Sequence, residues 1–134
     1  MKFTINNDSI TSTLGYGELA ISPNEANGYR PFELFVSSLV GCSGSLLRTI
    51  LSKRRVSYQK LQIEVSSVRN PDQANRIDHL SFIANVQSAV PFSPQVAEKV
   101  SHLVVKNCGM IQSVIQSIDI TFIIRWIPLN SDSD

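Results

Sequence analysis

The chain has little net charge and no long uncharged run, and each shortage excludes a class of protein. Its 134 residues include 12 basic and 11 acidic side chains, so the net charge is only +1. That balance gives no broad basic surface, and we expect no nucleic-acid partner. The uncharged part of the apolar central segment, Leu34 to Leu47, is shorter than the roughly 20 residues that a membrane helix needs. We therefore predict a buried core helix and no association with a membrane.

Cysteine and histidine are also scarce. Neither Cys42 nor Cys108 has a second cysteine nearby, and His79 and His102 stand alone, so the ligand spacing of a metal site is missing. We expect no metal and no cofactor. The first ten residues, MKFTINNDSI, lack the apolar run and small-residue cleavage site of a signal peptide, which predicts a cytoplasmic location. In a reducing compartment, two cysteines are more often free, catalytic or redox-active than joined in a structural disulfide.

The composition is that of an ordinary globular protein, with 43% apolar and 17% charged residues. The length fits one domain, so we predict a single domain over residues 1–134. The polar tail from about residue 128 is expected to be disordered.

The hydrophobic pattern predicts an α+β order with a long central apolar helix, a second, broken helix and antiparallel strands. Pro31 suits the first position of the central helix, and Ser93 before Pro94 is a start signal for the second. Alternating apolar residues predict the strands. The predicted elements are short strands within 2–22, a helix from 31, a hairpin of 61–65 and 80–86, a helix from 94, a short helix over 110–117 and a strand over 118–126.

The central helix is predicted to be apolar on most of its sides. One stripe is formed at steps of three and four residues by Phe35, Leu39, Cys42, Leu46 and Ile50. A small domain has difficulty covering such a helix, so we infer an intimate dimer, although a central helix under a curved sheet would also serve. Two glycines flank Cys42 at positions 41 and 44, and both close backbone packing and room for a ligand remain open as their reason.

The two cysteines are the candidate reactive groups. A thiol reacts as its thiolate and needs a nearby cation or helix N-terminus to stabilise the charge. Cys108 directly precedes the predicted short helix, whereas Cys42 lies within the central helix and must be stabilised from elsewhere. From this chemistry alone, two inert buried cysteines are an equal alternative, because free cysteine is among the most buried residue types.

The order of the local sequences around these cysteines resembles the OsmC family, which includes the organic hydroperoxide resistance proteins. The segments that carry the resemblance are PFELFVSSLVGCSGSLLRTILSKR and, after the hairpin, VVKNCGMIQSVIQSIDITFIIRW. Family members have a Pro-led central helix with a cysteine about eleven residues in, and a second cysteine that opens a short helix before the last strand. The resemblance covers the chain from about Phe3 to Trp126.

The resemblance implies an OsmC-like fold, an intertwined homodimer and a cysteine-based peroxidase that reduces organic hydroperoxides. It gives Cys42 the attacking role and Cys108 the resolving role through an intramolecular disulfide, which an external dithiol then reduces. Two alternatives use the same apolar cleft: a non-catalytic dimer that binds a small apolar molecule, and a thiol-disulfide redox switch. The residue content does not distinguish among these three functions.

The resemblance also indicates which charges could activate Cys42. The organic hydroperoxide resistance branch holds the thiolate with an Arg from the N-terminal region and holds that Arg with a Glu in the first turn of the helix. Here Phe32 occupies the position of that Glu, Glu33 follows it, and Arg30 is the first arginine of the chain. Arg30 and Glu33 are therefore the candidate activating residues, with an exposed loop residue and a charge at the helix N-terminus as their alternatives.

The cluster of Lys53, Arg54 and Arg55 falls at the predicted end of the central helix. We interpret it as the cationic end that the helix dipole favours, rather than as a binding patch.

Overall fold

The structure is a computed structural model that describes residues 1–130. These residues contain three helices and two three-stranded sheets, which confirms the predicted α+β class. The chain divides into two compact units with the boundary after Ser38. The tail predicted to be disordered lies mostly outside the described residues, since only its first three residues belong to them. Two of these, Pro128 and Leu129, accept hydrogen bonds from the Gln87 side chain through their carbonyl oxygens.

The first unit contains a small antiparallel meander. Its strands are β1 (Thr4–Ile5), β2 (Ile10–Thr13) and β3 (Glu18–Ile21), in that order across the sheet. The loop after β3 returns to it at Tyr29, whose N–H donates to the Ala20 carbonyl at 2.9 Å. Glycine is required beside this contact, because a Cβ on Gly28 would lie 2.8 Å from the Ala20 backbone.

Helix α1 runs over Pro31–Lys53 and starts at the predicted proline. Its buried residues are Leu39, Ser43, Leu47 and Leu51, a stripe at steps of four. Of the predicted stripe only Leu39 is fully buried, and its other members are half-buried. Apolar residues on every side made the rotational phase of this helix ambiguous in sequence. The structure therefore leaves a second apolar face of α1 incompletely covered.

By length and composition alone, α1 is long and apolar enough to cross a membrane, with a mean hydropathy of 1.6 in its best window. The helix length inferred from the uncharged stretch was too short, because the helix also contains the charged residues Glu33 and Arg48. Core helices of water-soluble proteins meet the same criterion. One such helix is therefore weak support for a membrane location.

The end of α1 carries a Schellman-type cap. The Val56 N–H donates to the Leu51 carbonyl at 2.9 Å and the Arg55 N–H to the Ser52 carbonyl at 3.0 Å. Arg55 sits in the left-handed region with a φ of 58°. That conformation normally favours glycine, since it costs other residues roughly 1–2 kcal/mol.

The second unit is built on a hairpin and a crossover. Strand β4 (Lys60–Asn70) pairs antiparallel with β5 (Arg76–Gln87), as predicted. The chain then passes through α2 (Pro94–Asn107) and α3 (Gly109–Val114) to β6 (Asp119–Ile127). Strand β6 pairs with β5 in parallel, an exception to the expected antiparallel pairing. A crossover through helices permits parallel pairing, which a tight turn cannot.

The core of this unit lies between one face of the sheet and the helices. Alternate residues of β5 are fully buried, while their neighbours are half-buried. Phe82 and Phe122 stack with ring centroids 5.8 Å apart, and α2 contributes Val100 and Val104. The Ser101 hydroxyl of α2 also donates to the Phe122 carbonyl of β6. The core thereby fixes the end of α2, where Cys108 follows.

Candidate active site: two thiols at a helix junction

Cys108 joins two helices and is held by backbone bonds from both. It caps the C-terminus of α2 by donating its N–H to the Val104 carbonyl, and its own carbonyl accepts from the Gln112 N–H of α3, both at 2.9 Å. Its side chain is completely buried, with 0% exposure. Asn107 and Gly109 flank this junction between α2 and α3. The first backbone N–H groups of α3 therefore face the residues that lie beside Cys108.

Cys42 lies beside it on α1 and is half-buried. Both cysteines are free thiols, and the two side chains lie close enough for the Cys108 thiol to lower the pKa of Cys42. The fold thus places the two thiols near each other, since each one shifts the pKa of the other. Such proximity is a precondition for a disulfide, which requires the two Cα atoms to lie within about 7 Å.

The surroundings lower the pKa of Cys42. The largest cause is a hydrogen bond from the backbone N–H of Met110, followed by the hydrogen bond from the Cys108 thiol. The N–H of Gly109 adds to this effect, whereas burial opposes it. These amides belong to the first turn of α3, where N–H groups have no partner within the helix. They stabilise the thiolate by charge-assisted hydrogen bonds, which favour the ionised form.

The pKa of Cys108 moves in the opposite direction. Burial is the largest cause of its rise, and the neighbouring Cys42 raises it further. The amides of Ile111 and Met110 oppose the rise without overcoming it. Of the two thiols, Cys42 is therefore the one that ionises at the lower pH.

Arg30 and Glu33 lie in the first unit and pair with each other. The Arg30 Nε donates to the Glu33 Oε1, and the side chains are 50% and 49% exposed. The hydrogen bond to Glu33 and its charge raise the pKa of Arg30. The structure thus brings the two candidate activating residues together as an exposed ion pair at the start of α1, between Arg30 just before the helix and Glu33 in its first turn.

Packing among residues 1–130 does not require the two glycines that flank Cys42. A Cβ built on Gly41 meets nothing within 4 Å, and one built on Gly44 meets only the Ile63 Cδ1 at an ordinary 3.5 Å. Close packing inside one chain is therefore not the reason for these residues. The space next to Gly41 leaves the α1 backbone accessible one residue before Cys42.

The family model for OsmC-like proteins matches residues 23–123, which include both cysteines and all three helices. The chain belongs to the OsmC family. This confirms the resemblance carried by the cysteine segments. No curated protein sequence matches the chain.

Solved structures with the same fold resemble this OsmC-like protein over nearly their whole length. A hypothetical protein from Aquifex aeolicus is 18% identical with a TM-score of 0.82, covering 95% of this chain and 94% of its own. An OsmC-like protein from Mycoplasma pneumoniae is 16% identical with a TM-score of 0.75, covering 96% and 95%. An organic hydroperoxide resistance protein from Bacillus subtilis is 14% identical with a TM-score of 0.65, covering 92% and 95%. At these identities the likeness establishes the fold.

Membership of the OsmC family suggests a redox or peroxidase role for this protein. The sequence pointed to Cys42 and Cys108 but missed the groups that act on Cys42. These are the backbone amides of Gly109 and Met110, which no side-chain pattern reveals. The available signal was the helix break at Asn107 to Gly109, which placed a helix N-terminus beside one cysteine and, through the fold, beside both.

Proposed function

We propose that this protein is a cysteine-based peroxidase that reduces organic hydroperoxides, with Cys42 as the attacking residue and Cys108 as the resolving residue. The observation that carries the proposal is the proximity of two free thiols whose pKa values are shifted in opposite directions. A low pKa on the more accessible sulfur and a high pKa on the buried one suit a nucleophile and a resolver respectively.

In the first step the Cys42 thiolate attacks one peroxide oxygen and breaks the O–O bond. The sulfur is oxidised to a sulfenic acid, and the other oxygen leaves as the alkoxide, which takes up a proton and departs as the alcohol. The amides of Gly109 and Met110 lower the pKa of the thiol and so hold the thiolate ready for attack.

In the second step the Cys108 sulfur attacks the Cys42 sulfur of the sulfenic acid. A disulfide forms, and the hydroxyl leaves as water with the proton from the Cys108 thiol. An external dithiol then reduces the disulfide by thiol-disulfide exchange, which returns both thiols. We expect an organic peroxide to react faster than hydrogen peroxide, because Cys42 lies on the apolar helix α1, whose surface favours an apolar substituent on the substrate.

Mass spectrometry of the reduced protein after mixing with cumene hydroperoxide tests this reaction. We expect the protein to lose two hydrogen atoms as the disulfide forms, and Cys42→Ser to abolish that loss. Continuous consumption of peroxide in the presence of a dithiol then distinguishes an enzyme from a redox switch. An unchanged mass after minutes with excess peroxide would refute the proposal.

We also propose that the protein is a homodimer, in which the second copy covers the apolar face that one chain leaves open. Only 22% of the most apolar window of α1 is buried in the single chain. The first unit also exposes large apolar side chains, among them Phe3, Ile5 and Tyr29. Light scattering at micromolar concentration is expected to give the mass of two chains. A stable monomer would refute the dimer.

A further inference from the structure

We propose that a cleft at the C-terminal end of α1, outside the thiol site, binds a small amphipathic carboxylate. The cleft has a volume of about 540 Å³ and is lined by residues 54–59, residues 88–92 and Leu129. We call it the basic cleft. Its volume falls within the range of about 300–1,000 Å³ that is usual for small-molecule sites.

The lining combines an apolar body with a cationic end. Tyr58, Val90 and Phe92 are among the apolar groups, and Val90 is 75% exposed. The charged groups are Arg54 and Arg55, and no acidic side chain of residues 1–130 lines the cleft. This distribution fits a ligand with an aliphatic or aromatic body and one anionic group.

Neither guanidinium is neutralised within the described chain. Both arginines are exposed, and neither forms an ion pair with a carboxylate of residues 1–130. The helix itself ends at Lys53, which supplies the cation of its last turn. Arg54 still belongs to the hydrogen bonding of the last turn, since its N–H donates to the Ile50 carbonyl at 3.0 Å, but Arg55 lies beyond it in a left-handed position that favours glycine. A side chain kept at such a position points to a use for that side chain.

Ser88 and Leu129, which also line the cleft, are held by hydrogen bonds within the chain. The buried Ser88 donates its N–H to the Ile127 carbonyl at 3.1 Å and its Oγ to the Val90 carbonyl at 2.9 Å. Its own carbonyl accepts from the Trp126 Nε1 at 3.1 Å. Leu129 is fixed by the bond from Gln87 to its carbonyl. A preformed wall lowers the ordering cost of binding a small ligand.

Arg guanidinium groups recognise carboxylates in a bidentate, planar geometry. The nearby Tyr58 and Phe92 offer surface for a hydrocarbon or ring. We therefore assign the cleft to a free organic monocarboxylate, with decanoate as the probe and decanol as its uncharged counterpart. This assignment does not depend on the peroxidase proposal, because it uses none of the residues of the thiol site.

Titration of the full chain with decanoate tests the assignment through the fluorescence of Trp126, the single tryptophan, whose indole bonds to the cleft wall. We expect saturable binding with a Kd below about 1 mM and at least about tenfold weaker binding of decanol. Added salt is expected to weaken decanoate more than decanol, because it screens the exposed arginines. Amide NMR shifts are expected at residues 54–59 and 88–92.

The double variant Arg54→Gln, Arg55→Asn removes both charges, and asparagine tolerates the left-handed conformation. It is expected to weaken decanoate by at least about tenfold while leaving peroxide turnover unchanged. The matched control Lys99→Gln removes an exposed charge of α2 outside the lining and is expected to change the Kd by less than about twofold. If the double variant folds poorly, the single variant Arg54→Gln tests the loss of one charge. Arg55→Lys, which keeps the charge, is then its control.

Three outcomes overturn the assignment. These are the absence of saturable binding, equal affinity for decanoate and decanol, and amide shifts confined to the surroundings of Cys42 and Cys108. The last outcome would assign the apolar ligand to the thiol site and leave the basic cleft unused.

Discussion

Cys42 and Cys108 are chemically the same residue in two different settings. One lies within a helix of 23 residues and is half-buried, and the other lies between two shorter helices and is fully buried. The first turn of α3 supplies amides to both sulfurs. Burial distinguishes the two thiols, since it is the largest effect on the pKa of Cys108, whereas on Cys42 the Met110 amide and the Cys108 thiol both have larger effects. The N-terminus of α3 thus lowers the pKa of Cys42, which faces it from α1. The pKa of Cys108, which directly precedes α3, is still raised.

The largest expected effect separates the two cysteines by turnover. Cys42→Ser is expected to reduce steady-state consumption of cumene hydroperoxide with a dithiol to the uncatalysed rate, because the nucleophile is gone. Cys108→Ser is expected to react once and stop at the sulfenic acid, which a dimedone adduct detects by mass. A Cys108→Ser variant that takes up no dimedone after peroxide treatment would contradict the assignment of Cys42 as the attacking residue.

The pH dependence of alkylation tests the opposite pKa shifts directly. The Cys108→Ser variant leaves only Cys42 and retains a hydroxyl that can donate to its sulfur, whereas Cys42→Ser leaves only Cys108. An acid with a lowered pKa ionises at lower pH, so the iodoacetamide rate of Cys42 is expected to persist below the ordinary thiol pKa and to fall as pH drops through its own.

The Cys108 profile is expected to have its midpoint above the ordinary thiol value and a lower plateau, because burial raises the pKa and limits access. A free cysteine peptide serves as the reference. Coincident midpoints for the two variants would show that the surroundings do not distinguish the sulfurs.

Substitution at Gly109 removes one activating amide and leaves the side chains of the site in place. Cys108 has extended backbone angles, φ −82° and ψ 108°, which suit the residue before a proline, and a Cβ at position 109 meets nothing within 4 Å. Gly109→Pro therefore fits the first position of α3 while deleting the N–H that bonds to Cys42. Gly109→Ala is the matched control that keeps the N–H.

We expect the proline variant to raise the pKa of Cys42 and to slow its oxidation at neutral pH by roughly threefold to tenfold relative to the alanine variant. The Met110 amide remains, so activation is reduced rather than lost. Stopped-flow measurement of the single oxidation step gives the rates. Equal rates for the two variants would exclude a role for this amide.

The fold was largely predictable from sequence because its elements carry strong local signals. Pro31 and Ser93 mark helix starts, and the alternation in β4, β5 and β6 marks strands. The phase of α1 was not predictable, since a helix that is apolar on most sides has no single buried stripe. The parallel pairing of β6 depends on the path of the crossover, which no residue of β6 encodes.

The candidate site also contains some groups that the sequence predicts and others that only the fold reveals. Cys42 and Cys108 could be selected by residue type and position, because few side chains perform redox chemistry. The amides of Gly109 and Met110 could not, since backbone N–H groups occur at nearly every residue and only the tertiary fold shows which sulfur they meet. Arg30 and Glu33 were selected through the family resemblance, and the structure pairs them as an exposed ion pair.

The smallest expected effect concerns this pair. Exposed ion pairs are screened by solvent and contribute little, and the backbone already lowers the pKa of Cys42. Arg30→Gln is therefore expected to slow oxidation of Cys42 by less than about threefold, and Glu33→Gln by no more. The single-step rate with cumene hydroperoxide measures both, with Lys99→Gln as a control for the loss of one exposed charge. A loss of a hundredfold or more in Arg30→Gln would reverse the comparison on which this expectation rests. It would make the guanidinium, rather than the start of α3, the principal source of the difference between Cys42 and Cys108.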